Sequence, residues 1–201
     1  MSQPDPCRIL IIDDNPAIHD DFHKILVPLF GGSADLKSAE AVLFGAEESV
    51  TGNLCFEIEH AHQGEEGLTR VQEALHQSRP YSLAFVDVRM PPGWDGIETI
   101  THLWKAQPDL QVVICTAYSD YSWSDIQQRL GQSDSLLILK KPFDNAEVLQ
   151  LAQALTQKWR STRQTFSMLD NVAQMVEVRV SALEEANAQL KRELNERSKV
   201  E

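Results

Sequence analysis

Five short apolar runs, separated by segments with helical periodicity, govern what this chain can fold into. Residues 9–12, 56–61, 83–86, 112–115 and 136–139 read as strands. The central runs are continuous rather than alternating, the pattern of strands covered on both faces. Helical spacing predicts helices over residues 16–29, 65–77, 97–107 and 123–130, and one beginning near Asn145. Strands that alternate with helices imply an α/β fold with a parallel sheet and right-handed crossovers. One stretch breaks the rhythm. Residues 31–54 form an insertion too long for a simple connection, and residues 36–48 within it read as an extra helix decorating the surface.

The polar residues that interrupt the pattern fall at the carboxyl ends of strands. Asp13 and Asp14 follow the first run, Asp87 the third, Thr116 the fourth and Lys141 the fifth. In an open parallel sheet those ends share one edge, and ligands bind where strand order reverses. Three carboxylates meeting there repel one another unless a cation neutralises them. An oxygen-only ligand set with room for waters suits Mg²⁺. A hydroxyl and an ammonium opposite suit a phosphoryl group, with one carboxylate as nucleophile. A helix cap or a turn accounts for any one of these residues. It does not account for five of them on four strand ends.

These motifs resemble the receiver domain of two-component response regulators. The match runs over residues 6–158 and rests on ILIIDDNP, FVDVRMPPGWDGIE, ICTAYSD and LILKKPF. The resemblance implies a flavodoxin-like doubly wound sheet of five parallel strands in the order 2-1-3-4-5. It implies phosphoryl transfer from a sensor histidine kinase or a phosphotransfer protein to Asp87. By the same resemblance Asp13, Asp14, Asp87 and the backbone carbonyl of Arg89 serve Mg²⁺, Asp13 through water, while Thr116 and Lys141 meet phosphoryl oxygens. Lys141, next to Pro142, is the motif lysine rather than Lys140, and its bond to the proline is expected to be cis. Ile138 departs from the family, which often has Tyr or Phe there to move with the threonine. Arg89 and Tyr118 stand where family members tune phosphoryl lifetime, and slow self-dephosphorylation is expected.

Other readings remain in view. Aspartyl-phosphate phosphatases carry a second Asp two residues after the nucleophile, where this chain has Arg89, so a regulatory domain is expected rather than an enzyme. A pseudo-receiver acting only as a dimerisation scaffold is the other alternative. His19 and His23 have a helical metal-binding spacing, yet no third ligand is near in sequence and a solvated helix face is expected. Packing or surface roles are expected for His60 and His62, and packing for the cluster Tyr118, Tyr121 and Trp123.

From Val148 onward a single heptad frame persists. Its a positions are Ala152, Trp159, Phe166, Ala173, Val180, Asn187 and Leu194, and its d positions include Val148, Leu155, Thr162, Leu169, Val176, Leu183, Leu190 and Arg197. No Gly or Pro follows Pro142, so the last receiver helix is expected to continue into a parallel homodimeric coiled coil through residues 148–197, some 55 residues of helix about 80 Å long, whose early turns both pack on the sheet and form the seam. Asn187 at a fixes register, and Arg179 at g can reach Glu184 at e of a partner. The expected domains are 1–144, the receiver, and 145–201, its last helix and coiled coil. The ending resembles connectors to PAS, histidine-kinase or diguanylate-cyclase domains, so the chain reads as a fragment that controls such an output domain.

Charge agrees with this division. The net charge of −12 lies entirely in residues 1–145, while residues 146–201 are neutral. The acid excess argues against nucleic acid and anionic membranes as partners. Cys7, Cys55 and Cys115 form no CxxC pair, as expected of reduced thiols in a cytoplasmic protein, and the start lacks the features of a signal peptide.

Overall fold

The computed structural model describes residues 7–27, 56–117, 123–131 and 133–197, with side chains as far as residue 188 and Trp123 excepted. The insertion 31–54, Cys55, Tyr118 and Tyr121 lie outside the described residues, as do the side chains of Leu190, Leu194 and Arg197. Five parallel strands form one sheet: β1 Cys7–Ile12, β2 Phe56–Ala61, β3 Leu83–Asp87, β4 Gln111–Thr116 and β5 Leu136–Lys140. Their order is β2-β1-β3-β4-β5, the flavodoxin-like arrangement. The described helices are α1 Pro16–Leu26, α2 Gly64–His76, α3 Gly96–Ala106, α4 Trp123–Leu130 and α5 Asn145–Arg197.

Strand side chains alternate between two cores. Leu10, Ile12, Ala84, Val86, Val112 and Ile114 face one, where they meet Val71 of α2 and Ile97, Ile100 and Leu103 of α3. Ile9, Ile11, Leu83, Phe85, Val113 and Cys115 face the other, with Phe22 and Leu26 of α1 and Val148, Ala152 and Leu155 of α5. Burial on both faces explains the continuous apolar runs.

The strands extend beyond those runs because polar residues join the ladder at their ends. Asp87 sits opposite Cys115, and Thr116 opposite Lys140. Arg8, 8% exposed, enters β1 because its guanidinium pairs with Glu57 and Glu59 of β2 and lies over the Tyr81 ring.

Helix starts follow local chemistry. Asn15 Oδ1 accepts the Ala17 N–H at 3.0 Å just ahead of Pro16, and Asp95 Oδ1 accepts the Glu98 N–H at 2.7 Å.

The chain divides into two compact units, Met1–Trp159 and Arg160–Glu201. In the first, Val148, Ala152 and Leu155 are buried against the sheet. These early seam positions are filled from within the chain, which is the sheet-packing half of the double role expected of the first turns. In the second unit the helix exposes Phe166, Leu169, Val176, Val180 and Leu183, all seam positions, together with Met168, Met175 and Val178.

Candidate functional site

Strand order reverses at β1, whose neighbours β2 and β3 are reached by connections running to opposite sides. The carboxyl ends of β1 and β3 therefore flank the crevice where such sheets bind ligands. Asp13 leaves β1 with only 2% exposure. Its backbone N–H donates to the Ala61 carbonyl at 3.1 Å, and its Oδ1 accepts the Asn15 N–H at 2.9 Å. Its Oδ2 accepts from Lys141 Nζ at 2.7 Å. Asp87 ends β3, where its Oδ1 accepts from the same ammonium at 2.5 Å and its Oδ2 accepts the Arg89 N–H at 2.8 Å.

Gly96 brings α3 against this acid. A Cβ at that position would stand 2.3 Å from the Asp87 carbonyl oxygen, and the Gly96 N–H donates to Val88 O at 2.9 Å. Lys141 is held from behind. Its backbone N–H donates to the Thr116 carbonyl at 2.8 Å, and the Lys141–Pro142 bond is cis, as is Pro91–Pro92. The buried Thr116 hydroxyl donates to the Ala117 carbonyl at 3.0 Å.

Of the sequence-named residues, Asp13, Asp87 and Lys141 touch through their side chains, Arg89 reaches Asp87 through its N–H, and Thr116 reaches Lys141 through its carbonyl. Asp14 is solvent-exposed in the turn before α1.

Burial holds the Asp87 carboxyl above its ordinary pKa; Lys141 opposes that rise and Asp13 adds to it. For Lys141 burial works against the charge, but the hydrogen bonds to Asp13 and Asp87 outweigh it and hold the ammonium above its ordinary value. The two directions agree physically, since two acids compete for one cation. Cys115, opposite Asp87 in the ladder, is a fully buried thiol whose pKa burial pushes up.

Among the described residues no three metal-ligating side chains already converge as a cage. The donor chemistry nevertheless fits a hard divalent cation. Two buried carboxylates share one positive charge, and a third, Asp14, stands at the solvent side where waters can complete a coordination shell.

The expected solvated face of α1 is corrected at His19, which is 6% exposed. Its Nε2 lies 2.7 Å from the Asp13 carbonyl oxygen and its Nδ1 2.9 Å from His60 Nδ1. The His62 ring stands edge-on to it at 4.7 Å. His23 is exposed, as expected. Burial and the neighbouring imidazoles, His19 first, lower the pKa of His60. A signal for His19 was present in the sequence: it precedes Phe22 and Leu26 by three and seven residues, on the helix face that packs inward.

A family model described as the response regulator receiver domain matches residues 39–153. The chain belongs to the response regulator receiver family. It is 31% identical over 132 residues to the DNA-binding transcriptional regulator NtrC of Proteus hauseri, covering 65% of this chain and 25% of that protein. This chain thus spans about a quarter of that relative's length. Solved structures share the fold. A CheY-like receiver domain protein from Methanospirillum hungatei JF-1 matches with 21% identity and a TM-score of 0.55, over 79% of this chain and 99% of its own. The signal receiver domain of an HD domain-containing protein from Pseudomonas fluorescens Pf-5 matches with 17% identity and a TM-score of 0.57, over 82% and 96%. Among the described residues no helix is long and apolar enough to cross a membrane.

Proposed function

We propose that Asp87 accepts a phosphoryl group from the phosphohistidine of a sensor kinase or phosphotransfer protein. The observation that carries this reading is the shared ammonium: Lys141 Nζ touches both Asp87 and Asp13 in a crevice lined by buried acids. Asp13, Asp14, Asp87 and the Arg89 carbonyl would hold Mg²⁺. When bound, that cation supplies positive charge to the oxygens of the transferring group.

The chain's own residues do the rest. An Asp87 oxygen forms the new bond to phosphorus as the bond from phosphorus to the donor histidine nitrogen breaks. Lys141, already at Asp87 Oδ1, is placed to pair with an oxygen of the group formed there. The Thr116 hydroxyl exchanges its Ala117 acceptor for another of those oxygens. The backbone bond from Lys141 to Thr116 ties the two responses together. Arg89, exposed two residues beyond Asp87, shields the acyl phosphate from water and slows its loss.

The domain is regulatory and cytoplasmic on this reading. Residues 160–188 of α5 pair in parallel with a second copy through the exposed Phe166, Leu169, Val176, Val180 and Leu183. Asn187 sets their register, and Arg179 meets Glu184 across the pair. That dimer passes the phosphorylation state to an output domain such as a diguanylate cyclase or histidine kinase.

Incubation with acetyl phosphate and Mg²⁺, followed by intact mass, tests the phosphoacceptor. Wild type should gain one phosphoryl group, and Asp87→Asn should gain none. Equal masses before and after incubation of wild type would favour the pseudo-receiver instead.

A further inference from the structure

We propose that His19 is a positioning residue for the acidic site, acting through the backbone carbonyl of Asp13 while His60 fixes its tautomer. The inference rests on the reading of Asp13 as a cation-serving acid and adds a residue to it.

The hydrogen-bond chain fixes one proton outright and, for a neutral ring, the second. A carbonyl oxygen only accepts, so the 2.7 Å contact with Asp13 requires a proton on His19 Nε2. In neutral His19 that leaves Nδ1 as a lone pair. His60 Nδ1, 2.9 Å away, then carries the proton between the rings and donates it. The reverse tautomer of His19 would set a lone pair against the carbonyl oxygen. The His19 ring is also braced sideways by His62, which stands edge-on to it at 4.7 Å.

The consequence falls on Asp13. Its N–H is held by Ala61 at the end of β2 and its carbonyl by His19 of α1, whose ring in turn meets His60 of β2, so the peptide groups on both sides of its Cα are anchored. Ala61 is in that strand, and His60, which directs His19, is the residue before it. The carboxylate therefore leaves a fixed backbone. A cation served by Asp13, directly or through water, would meet a carboxylate whose backbone origin does not shift. Groups that orient a metal-binding acid in this way commonly affect cation affinity about 10–100-fold when lost.

Titration calorimetry with Mg²⁺ on the full chain tests this, with a thermal melt recorded for each variant. His19→Leu, which fills the space without a donor, should bind Mg²⁺ about tenfold more weakly than wild type. His19→Gln keeps an N–H donor and should recover most of that loss. The ¹⁵N spectrum of wild type should show His19 protonated at Nε2 and unprotonated at Nδ1. Affinity unchanged in His19→Leu, equal weakening in both variants in step with their melting temperatures, or the opposite tautomer would overturn the proposal. Should His19→Leu fail to fold, His19→Gln and the wild-type spectrum decide. Wild type and Asp13→Asn binding Mg²⁺ equally would defeat the underlying reading of Asp13 and the proposal with it. Binding that needs Asp13 but ignores His19 would defeat the proposal alone.

Discussion

Lys141 Nζ lies 2.5 Å from Asp87 Oδ1 while it also holds Asp13, so one ammonium serves two buried acids. Burial holds the Asp87 carboxyl above its ordinary pKa, and the ammonium it shares with Asp13 does not offset that rise. A carboxyl whose folded pKa is raised contributes stability in full only below its unfolded value of 3.8, and loses it as pH rises through the folded value. At neutral pH the ionised Asp87 works against the fold.

Asp87→Asn should therefore melt above wild type at pH 7 without Mg²⁺. The gain should shrink as pH falls and vanish below 3.8, where both side chains are neutral. Mg²⁺ at about 100 times its Kd should stabilise wild type by about 2.7 kcal/mol and Asp87→Asn by less. Thermal melts across pH and Mg²⁺ concentration check both statements. A variant less stable than wild type at pH 7 would contradict them.

Gly96→Ala should destabilise the receiver by about 1–3 kcal/mol, because its methyl would press on the Asp87 carbonyl oxygen and force α3 outward. Denaturant unfolding measures the loss. The same shift should slow phosphorylation by acetyl phosphate. An alanine variant with wild-type stability would mean that α3 moves freely against β3.

Two leucines on one helix should behave differently. Leu155, buried against β4 and β5 residues, should cost about 2–5 kcal/mol when changed to Ala, with the oligomeric state kept. Leu169→Asp should leave the receiver's unfolding unchanged and convert a dimer to a monomer in sedimentation. A wild-type chain that sediments as a monomer at high concentration would remove the basis for pairing.

Arg89→Ala should shorten the lifetime of the phosphorylated form severalfold, followed as loss of the added mass after the phosphodonor is removed. A lifetime as long as that of wild type would take Arg89 out of the shielding role.

Much of this was legible in the sequence because burial on both faces leaves unbroken apolar runs, and because strand ends carry the polar exceptions. Lys141 and Asp87 are 54 residues apart in sequence, yet each closes its strand, and parallel order brings the ends together. What the sequence hid was which polar residues go inside. Arg8 stands just ahead of the first apolar run, and its burial depends on Glu57, Glu59 and Tyr81, which arrive from β2 and the segment before β3. The spacing of His19 to His23 points to a solvated face, whereas Phe22 and Leu26 mark the face that decides its burial. The heptad frame runs unbroken from Val148 because packing on a sheet and forming a seam ask for the same apolar spacing, and the first turns are expected to do both. Val148, Ala152 and Leu155 meet the sheet.

The ionic arrangement differs between the two ends of the sheet. Toward the entry side, Glu57 and Glu59 are answered by Arg8, Arg70 and Arg79, so charge there is settled locally. At the exit side Asp13, Asp14 and Asp87 have Lys141 among them. Buried Asp13 and Asp87 share one ammonium, so on the proposed reading that site draws small cations and repels phosphorylated donors until a cation is bound. On the proposed reading this imposes an order of events: cation first, donor second. Raising ionic strength should then slow cation capture and ease donor approach, so the two steps respond to salt with opposite signs.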